Sequence, residues 1–197
     1  MPTETPVPPA QATRPPRVVG LDLSLTATGI ASSAGWCRLV GHPSRRPGTG
    51  ITQLPLPQRL EALRDLVYRV TRDIGALDLA VIEAPAVSRS GGGAHERGWL
   101  WWRIYGYLAD AEIPVATMTP GQLKTYATGK GNGTKSAVVD AVARRWPDWE
   151  TGGDDNLADA VVLMAAGMDQ LGYPVAPMPR AHRAVLERVT WPHMHEL

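Results

Sequence analysis

Short apolar segments that are typical of buried β-strands occur at five places in the first two thirds of the chain. They cover residues 18–23, 28–33, 35–41, 77–83 and 114–118. Turns rich in Ser and Gly separate the first three, which favours an antiparallel meander. The last two follow or precede longer segments, as in parallel crossovers. The pattern predicts an α/β protein with a five-stranded mixed sheet.

Longer segments with apolar residues every three or four positions predict helices that flank this sheet. They cover residues 58–74, 135–146 and 154–171, and Thr119-Pro120 has the form of an N-cap and first residue of another, at 121–126. A further short helix is predicted within residues 181–189. The first of these, 58–74, is interpreted as a structural cover for one sheet face.

The segment 99–108, WLWWRIYGYL, differs because it is apolar on nearly every side of a helix. Such a helix must be covered all round, either inside the domain or by a partner. A domain of this size rarely buries a helix completely, so we expect a homodimer formed through residues 99–108. A fully internal helix in a monomer is the alternative.

The chain has 197 residues, of which 44% are hydrophobic, and this suits one domain with one core. Residues 1–16 are rich in proline and predict a flexible tail, the domain spans 17–172, and 173–197 form a C-terminal tail. No apolar run is long enough for a bilayer, and no signal peptide is evident, so we expect a cytoplasmic protein. One cysteine allows no internal disulfide, and the scattered histidines do not suggest zinc.

Isolated carboxylates lie in the predicted core elements. Asp22 is in the first strand, Glu83 ends the fourth, and Asp159 lies one turn inside the last long helix, near Asp155 and Asn156. A buried ionised group needs a partner, because losing its water costs several kcal/mol. Asp22 alone could cap the turn after it. Acids at the carboxyl ends of central strands instead favour a ligand site with Mg²⁺ or Mn²⁺.

All three lysines fall close together in the sequence, at Lys124, Lys130 and Lys135. The segment TGKGNGTKS resembles a phosphate-binding P-loop, but Thr134 stands where that pattern needs glycine, so no nucleotide cofactor is expected. Arg89 and Arg97 lie in a second glycine-rich loop, 88–98, that is suited either to closing over a polyanion or to a surface role alone. The net charge of +1 does not by itself indicate nucleic-acid binding.

Four segments in this order resemble the RuvC family of Holliday junction resolvases, within the RNase H-like superfamily. They are VVGLDLSLTATGIA, AVIEAP, TPGQLK with GKGNGTKSAVVDAV, and DDNLADAVVLMAA, and they span residues 18–168. The last is similar to phage versions of the family. The resemblance implies an RNase H-like fold, two metal ions held by Asp22, Glu83 and Asp159, and functional lysines at Lys124 and Lys135. The family's fourth acid falls at Asn156, with Asp155 beside it, and we expect Asp155 to supply the charge.

The sequence therefore predicts a homodimeric, Mg²⁺-dependent endonuclease that cuts four-way or other branched DNA. Mn²⁺ is expected to substitute for Mg²⁺. The predicted DNA contacts are Lys124, Lys130, Lys135, Arg89 and Arg97. A branched-DNA binding protein with a weakened site is the main alternative, motivated by Asn156, and an RNase H acting on hybrids is the nearest enzymatic one. An actin-like ATPase would need a second domain of similar fold, for which the chain is too short.

Overall fold

The structure is a computed structural model that describes residues 14–42, 50–72, 74–85 and 93–193. Its five strands are β1 (Val18–Asp22), β2 (Thr28–Ser32), β3 (Trp36–Val40), β4 (Leu79–Glu83) and β5 (Val115–Met118). Its helices are α1 (Leu56–Thr71), α2 (Ala94–Asp110), α3 (Pro120–Thr128), α4 (Lys135–Arg145), α5 (Asp155–Gln170) and α6 (Arg180–Arg183). Two 3₁₀ turns lie at Ile51–Gln53 and Leu186–Arg188.

The strands form one mixed sheet in the order β3-β2-β1-β4-β5. The meander β1-β2-β3 is antiparallel, whereas β1 pairs with β4 and β4 with β5 in parallel. The predicted five-stranded mixed sheet, including its antiparallel meander and parallel strands, is therefore confirmed. The helices cover both faces: α1 and α2 pack on one side, and α3, α4 and α5 on the other.

Capping residues fix where the helices near the acids begin. Thr119 accepts a hydrogen bond from the Gln122 backbone N–H, and the Gln122 side chain accepts one from the Thr119 backbone N–H, which makes a capping box for α3. Thr134 caps α4 at the backbone N–H of Ala137, and Asp154 caps α5 at that of Leu157. Asp154 therefore has a capping role, while Asp155 begins the helix.

Helix α5 is the central helix of the core, and it packs unusually close to the sheet at two glycines. A Cβ atom at Gly20 would lie 2.1 Å from the backbone oxygen of Ala160, and one at Gly29 would lie 2.0 Å from that of Asn156. Only residues without a side chain allow this approach. From Leu157 onward most of α5 is buried, so its first two turns are pressed against β1 and β2.

The segment after residue 172 continues the packing of the domain. Val185, Leu186 and Val189 are buried in the same core as α5. Arg183 donates to the buried carboxylate of Asp169, which also accepts a hydrogen bond from the Tyr126 hydroxyl. These contacts attach residues 183–189 to α3 and α5, although the sequence had suggested a tail here. No helix within the described ranges has the length and apolar character that a membrane span requires.

Candidate active site

Two neighbouring strands end in acids on the same face of the sheet. Successive side chains of β1 point to opposite faces of the sheet, so that Val18 faces α5 and Val19 faces α1 and α2. Asp22, four residues after Val18, therefore lies on the α5 face. The same alternation in β4 places Glu83 on that side. Because β1 and β4 are parallel, with Leu21 opposite Ile82, the two acids are adjacent.

The carboxyl groups of Asp22 and Glu83 lie within hydrogen-bonding reach of each other. Asp22 is only 8% exposed, and burial, followed by the nearby charge of Glu83, raises the pKa of Asp22 to about 8. Burial also raises the pKa of Glu83. Two buried carboxyls this close together must either hold a proton between them or receive a positive charge from elsewhere.

The turn after β1 does not depend on Asp22. The Thr28 hydroxyl accepts a hydrogen bond from the Ser24 backbone N–H at 2.9 Å and donates one to the Ser24 carbonyl at 2.6 Å. Thr28 is fully buried and therefore closes the turn from inside. Thr28 therefore holds the turn that Asp22 could have capped, and the Asp22 carboxyl lies beside that of Glu83 instead.

Helix α5 adds two more acids to this end of the sheet. Burial, and then the charge of Asp22, raise the pKa of Asp159 to about 7. Asp155, one turn earlier, is ion-paired to Lys135, the first residue of α4, and this hydrogen bond holds the pKa of Asp155 below its usual value. The pair also raises the pKa of Lys135. The close contact at Gly29 is what brings this turn of α5 over the strand ends.

Two lysines approach the acids from different helices. The positive charge of Lys135 acts on Asp22, Glu83 and Asp159, and that of Lys124 on Glu83 and Asp159. Lys135 is 72% exposed even though it is bonded to Asp155, so its ammonium group lies at the solvent side of the cluster. The two lysines offset only part of the acidic charge, because burial still keeps the pKa values of Asp22, Glu83 and Asp159 high.

The donor set is suited to a hard divalent cation, since every acid in it presents oxygen atoms. A bound cation would also favour the ionised form of these buried carboxyls. Within the described ranges, however, no three acidic, histidine or cysteine side chains are already spaced to hold one ion together. Instead the acids are arranged in pairs: the Asp22 carboxyl lies beside that of Glu83, and Asp155 is bonded to Lys135.

The other residues singled out from the sequence are distributed around this cluster. Lys130 is exposed in the turn between α3 and α4, and Asn156 packs its backbone against Gly29. Arg97 lies exposed in the first turn of α2, and Arg89 lies outside the described residues. The bond between Asp155 and Lys135 was not predictable from the sequence, although the four-residue spacing of Asp155 and Asp159 placed both on one side of the helix.

The chain is similar in sequence to a known protein. No protein-family model matches the chain. The crossover junction endodeoxyribonuclease RuvC of Alkalilimnicola ehrlichii is 30% identical over 129 residues, which cover 62% of this chain and 73% of that protein.

Solved structures show the same fold. The fold resembles that of Thermus thermophilus RuvC in complex with a Holliday junction substrate, with a TM-score of 0.55, 22% identity, and coverage of 80% of this chain and 97% of the other. Yeast mitochondrial Holliday junction resolvase Ydc2 gives a TM-score of 0.50 at 11% identity, covering 88% of this chain and 81% of the other. The chain is 30% identical to the Alkalilimnicola ehrlichii RuvC over more than two thirds of that protein, and it has the same fold as solved RuvC structures. This chain therefore belongs to the RuvC family.

Proposed function

We propose that the protein is a Mg²⁺-dependent endonuclease that makes paired cuts in four-way or other branched DNA junctions. Membership of the RuvC family supports a junction-resolving nuclease in general terms. The observation that carries the proposal is the convergence of Asp22, Glu83 and Asp159, from two strands and one helix, beside two lysines.

The chain's own groups divide into two roles in this proposal. Asp22, Glu83 and Asp159, with Asp155, would hold Mg²⁺, for which Mn²⁺ would substitute. A pair of such ions supplies an activated water and stabilises the leaving oxygen of a phosphodiester. Lys135 and Lys124 attract the phosphate backbone and offset the charge that builds up on the phosphate during hydrolysis. Asn156, next to Asp155, is the remaining candidate oxygen ligand.

Further contacts to DNA are proposed for the rim of the cluster. Lys130 lies in the exposed turn that follows α3, between Lys124 and Lys135 along the chain. Arg97 is exposed at the start of α2, and Arg89 precedes that helix in the chain. Such contacts to phosphates fix position and orientation on branched DNA without reading the base sequence.

A homodimer through α2 completes the proposal. The inner side of this helix is buried at Leu100, Ile104 and Leu108, while Trp102 is 66% exposed on the outer side and Tyr107 is 40% exposed at the flank. Large aromatic side chains in solvent favour a protein partner. A second copy supplies the two-fold symmetry that two opposed cuts in a four-way junction require.

The test uses a labelled four-way junction with Mg²⁺, a linear duplex and an RNA–DNA hybrid. The wild type should nick the junction at paired positions, whereas Asp22→Asn and Glu83→Gln should bind it and leave it intact. An intact junction with every divalent ion, together with tight and salt-sensitive binding, would instead favour the DNA-binding alternative. Preferential cleavage of the hybrid would favour an RNase H.

A further inference from the structure

The backbone of Glu83 is held by an aromatic side chain on the face of the sheet opposite to its own carboxyl group. The indole Nε1–H of Trp101, in α2, donates a hydrogen bond to the Glu83 carbonyl oxygen at 3.0 Å. Trp101 is only 9% exposed and belongs to the core cluster formed by α1, α2 and the sheet. The Glu83 side chain points the other way, toward α5, so the two groups meet at the strand end from opposite faces.

This hydrogen bond lies where the sheet stops supporting the chain. Glu83 is the last residue of β4, opposite Met118 of β5, and the next residue, Ala84, donates its N–H to the Met118 carbonyl at 2.8 Å. Pro85 follows and has no N–H to donate. A side-chain donor on the Glu83 carbonyl therefore fixes the peptide from which this acid projects.

The indole ring is itself held by two neighbours in α2. It stacks on Tyr105 with ring centroids 5.3 Å apart, and it meets the edge of Trp102 at 4.9 Å. Tyr105 and Trp102 also contact each other, at 5.7 Å. The three rings thus connect the exposed side of α2 to the strand end that carries Glu83.

We infer that Trp101 is a positioning residue for Glu83, which sets the location of this acid through its backbone and links it to the outer side of α2. The role rests on the proposed function, in which Glu83 is one of the cation-holding acids. A small displacement of such an oxygen is enough to weaken a cation site, because supporting contacts determine where ligands point.

The test compares two equivalent substitutions. Trp101→Phe removes the N–H and keeps an aromatic ring. Trp191→Phe is the matched control, because the Trp191 indole also donates to a backbone carbonyl, that of Leu186 at 2.9 Å, but in the C-terminal segment. Each variant loses one neutral hydrogen bond, and Trp101→Phe should lose more stability because Trp101 is more buried than Trp191, so both are assayed at a temperature where they are folded.

We expect Trp101→Phe to cleave a saturating amount of junction about five- to tenfold more slowly than the wild type, with unchanged junction affinity. Without DNA, this variant should also need a higher Mn²⁺ concentration than the wild type to reach half of the maximal increase in melting temperature. Trp191→Phe should match the wild type in both measurements. Equal behaviour of the two variants would overturn the positioning role.

A measurement on the unmodified chain covers the case in which Trp101→Phe folds poorly. Titration of Mg²⁺ into the ¹⁵N-labelled wild type should shift the indole N–H resonance of Trp101 and leave that of Trp191 in place. An unmoved Trp101 resonance, with the ion bound, would overturn the inference. If the wild type binds the ion but cuts no branched DNA, the proposed function fails while the role of Trp101 stands or falls on these resonances.

Discussion

Gly29 of β2 lies directly against the backbone oxygen of Asn156 in α5, with no room for a side chain between them. This contact sets how close the first turn of α5 comes to the strand end at Asp22. Asp155 and Asp159 are carried on the same two turns. The spacing between the acids therefore depends on a residue that has no chemistry of its own.

Substitution of Gly29 by alanine should both destabilise the fold and displace the acids. A Cβ only 2.0 Å from the Asn156 oxygen forces the helix or the strand to move, and we expect a loss of at least about 3 kcal/mol in the free energy of unfolding. Denaturant unfolding measures it. Gly75→Ala is the control, because a Cβ there meets nothing within 4 Å. Equal stability of the two variants would contradict the close contact.

The raised pKa values of the acids predict an unusual dependence of stability on pH. The pKa values of Asp22 and Asp159 are about 8 and about 7 in the folded chain, against 3.8 for an ordinary aspartate. Between about pH 4 and 8 the folded state then binds more protons than the unfolded state, so without metal the stability falls as the pH rises. We expect a loss of a few kcal/mol across this range.

Asp22→Asn should reverse much of this loss. In the presence of a chelator at pH 8 the variant should melt at a higher temperature than the wild type, while the surface variant Asp65→Asn should not. Millimolar Mg²⁺ should raise the melting temperature of the wild type more than that of Asp22→Asn, because binding favours the ionised carboxyls. A wild type that grows more stable from pH 5 to 8 under chelation would contradict the assignment.

The fourth acid can be assigned by ranking two substitutions. Asp155→Asn should slow junction cleavage about 10- to 100-fold, because it removes a charge next to the acids and the partner of Lys135. Asn156→Ala should have the smaller effect. Asp154→Asn is the control, since asparagine caps a helix as well as aspartate does. The opposite ranking in single-turnover cleavage would assign the role to Asn156.

The proposed dimer predicts a change of oligomeric state from one exposed residue. Trp102→Glu should convert the protein to a monomer in size-exclusion chromatography with light scattering, because it places a charge in the aromatic contact. Leu56→Glu, on α1, is the matched control: Leu56 is 75% exposed, but it lies outside α2. If the wild type is a monomer, or if both variants remain dimers, the α2 interface is wrong.

Much of the fold follows from local patterns in the sequence. Each strand is a short apolar run, and Asp22 and Glu83 interrupt or end theirs, so the order of residues alone locates these two acids at the sheet edge. The observed bounds of the helices differ from the predicted ones by a few residues. Helix α1 runs over Leu56–Thr71 where 58–74 was predicted, because Pro55 is its N-cap, Pro57 lies in its first turn and Arg72 is its C-cap.

Features that depend on tertiary contacts were not predictable in this way. The hydrogen bond of Trp101 to Glu83 joins opposite faces of the sheet, and no spacing in the sequence encodes it. The packing of Val185 and Val189 was missed because prolines and arginines interrupt their segment, and its anchor is the distant Asp169. The α2 segment is apolar on nearly all sides, but the domain covers only one.

The position of α5 has a consequence for when activity can arise. One helix both completes the hydrophobic core and delivers Asp155 and Asp159 to the strand ends. A chain that has formed its sheet but not docked this helix has at most two of the acids in place. Under the proposed function, a newly made or partly unfolded molecule would lack a complete set of cation-holding acids, and cleavage would require the completed domain.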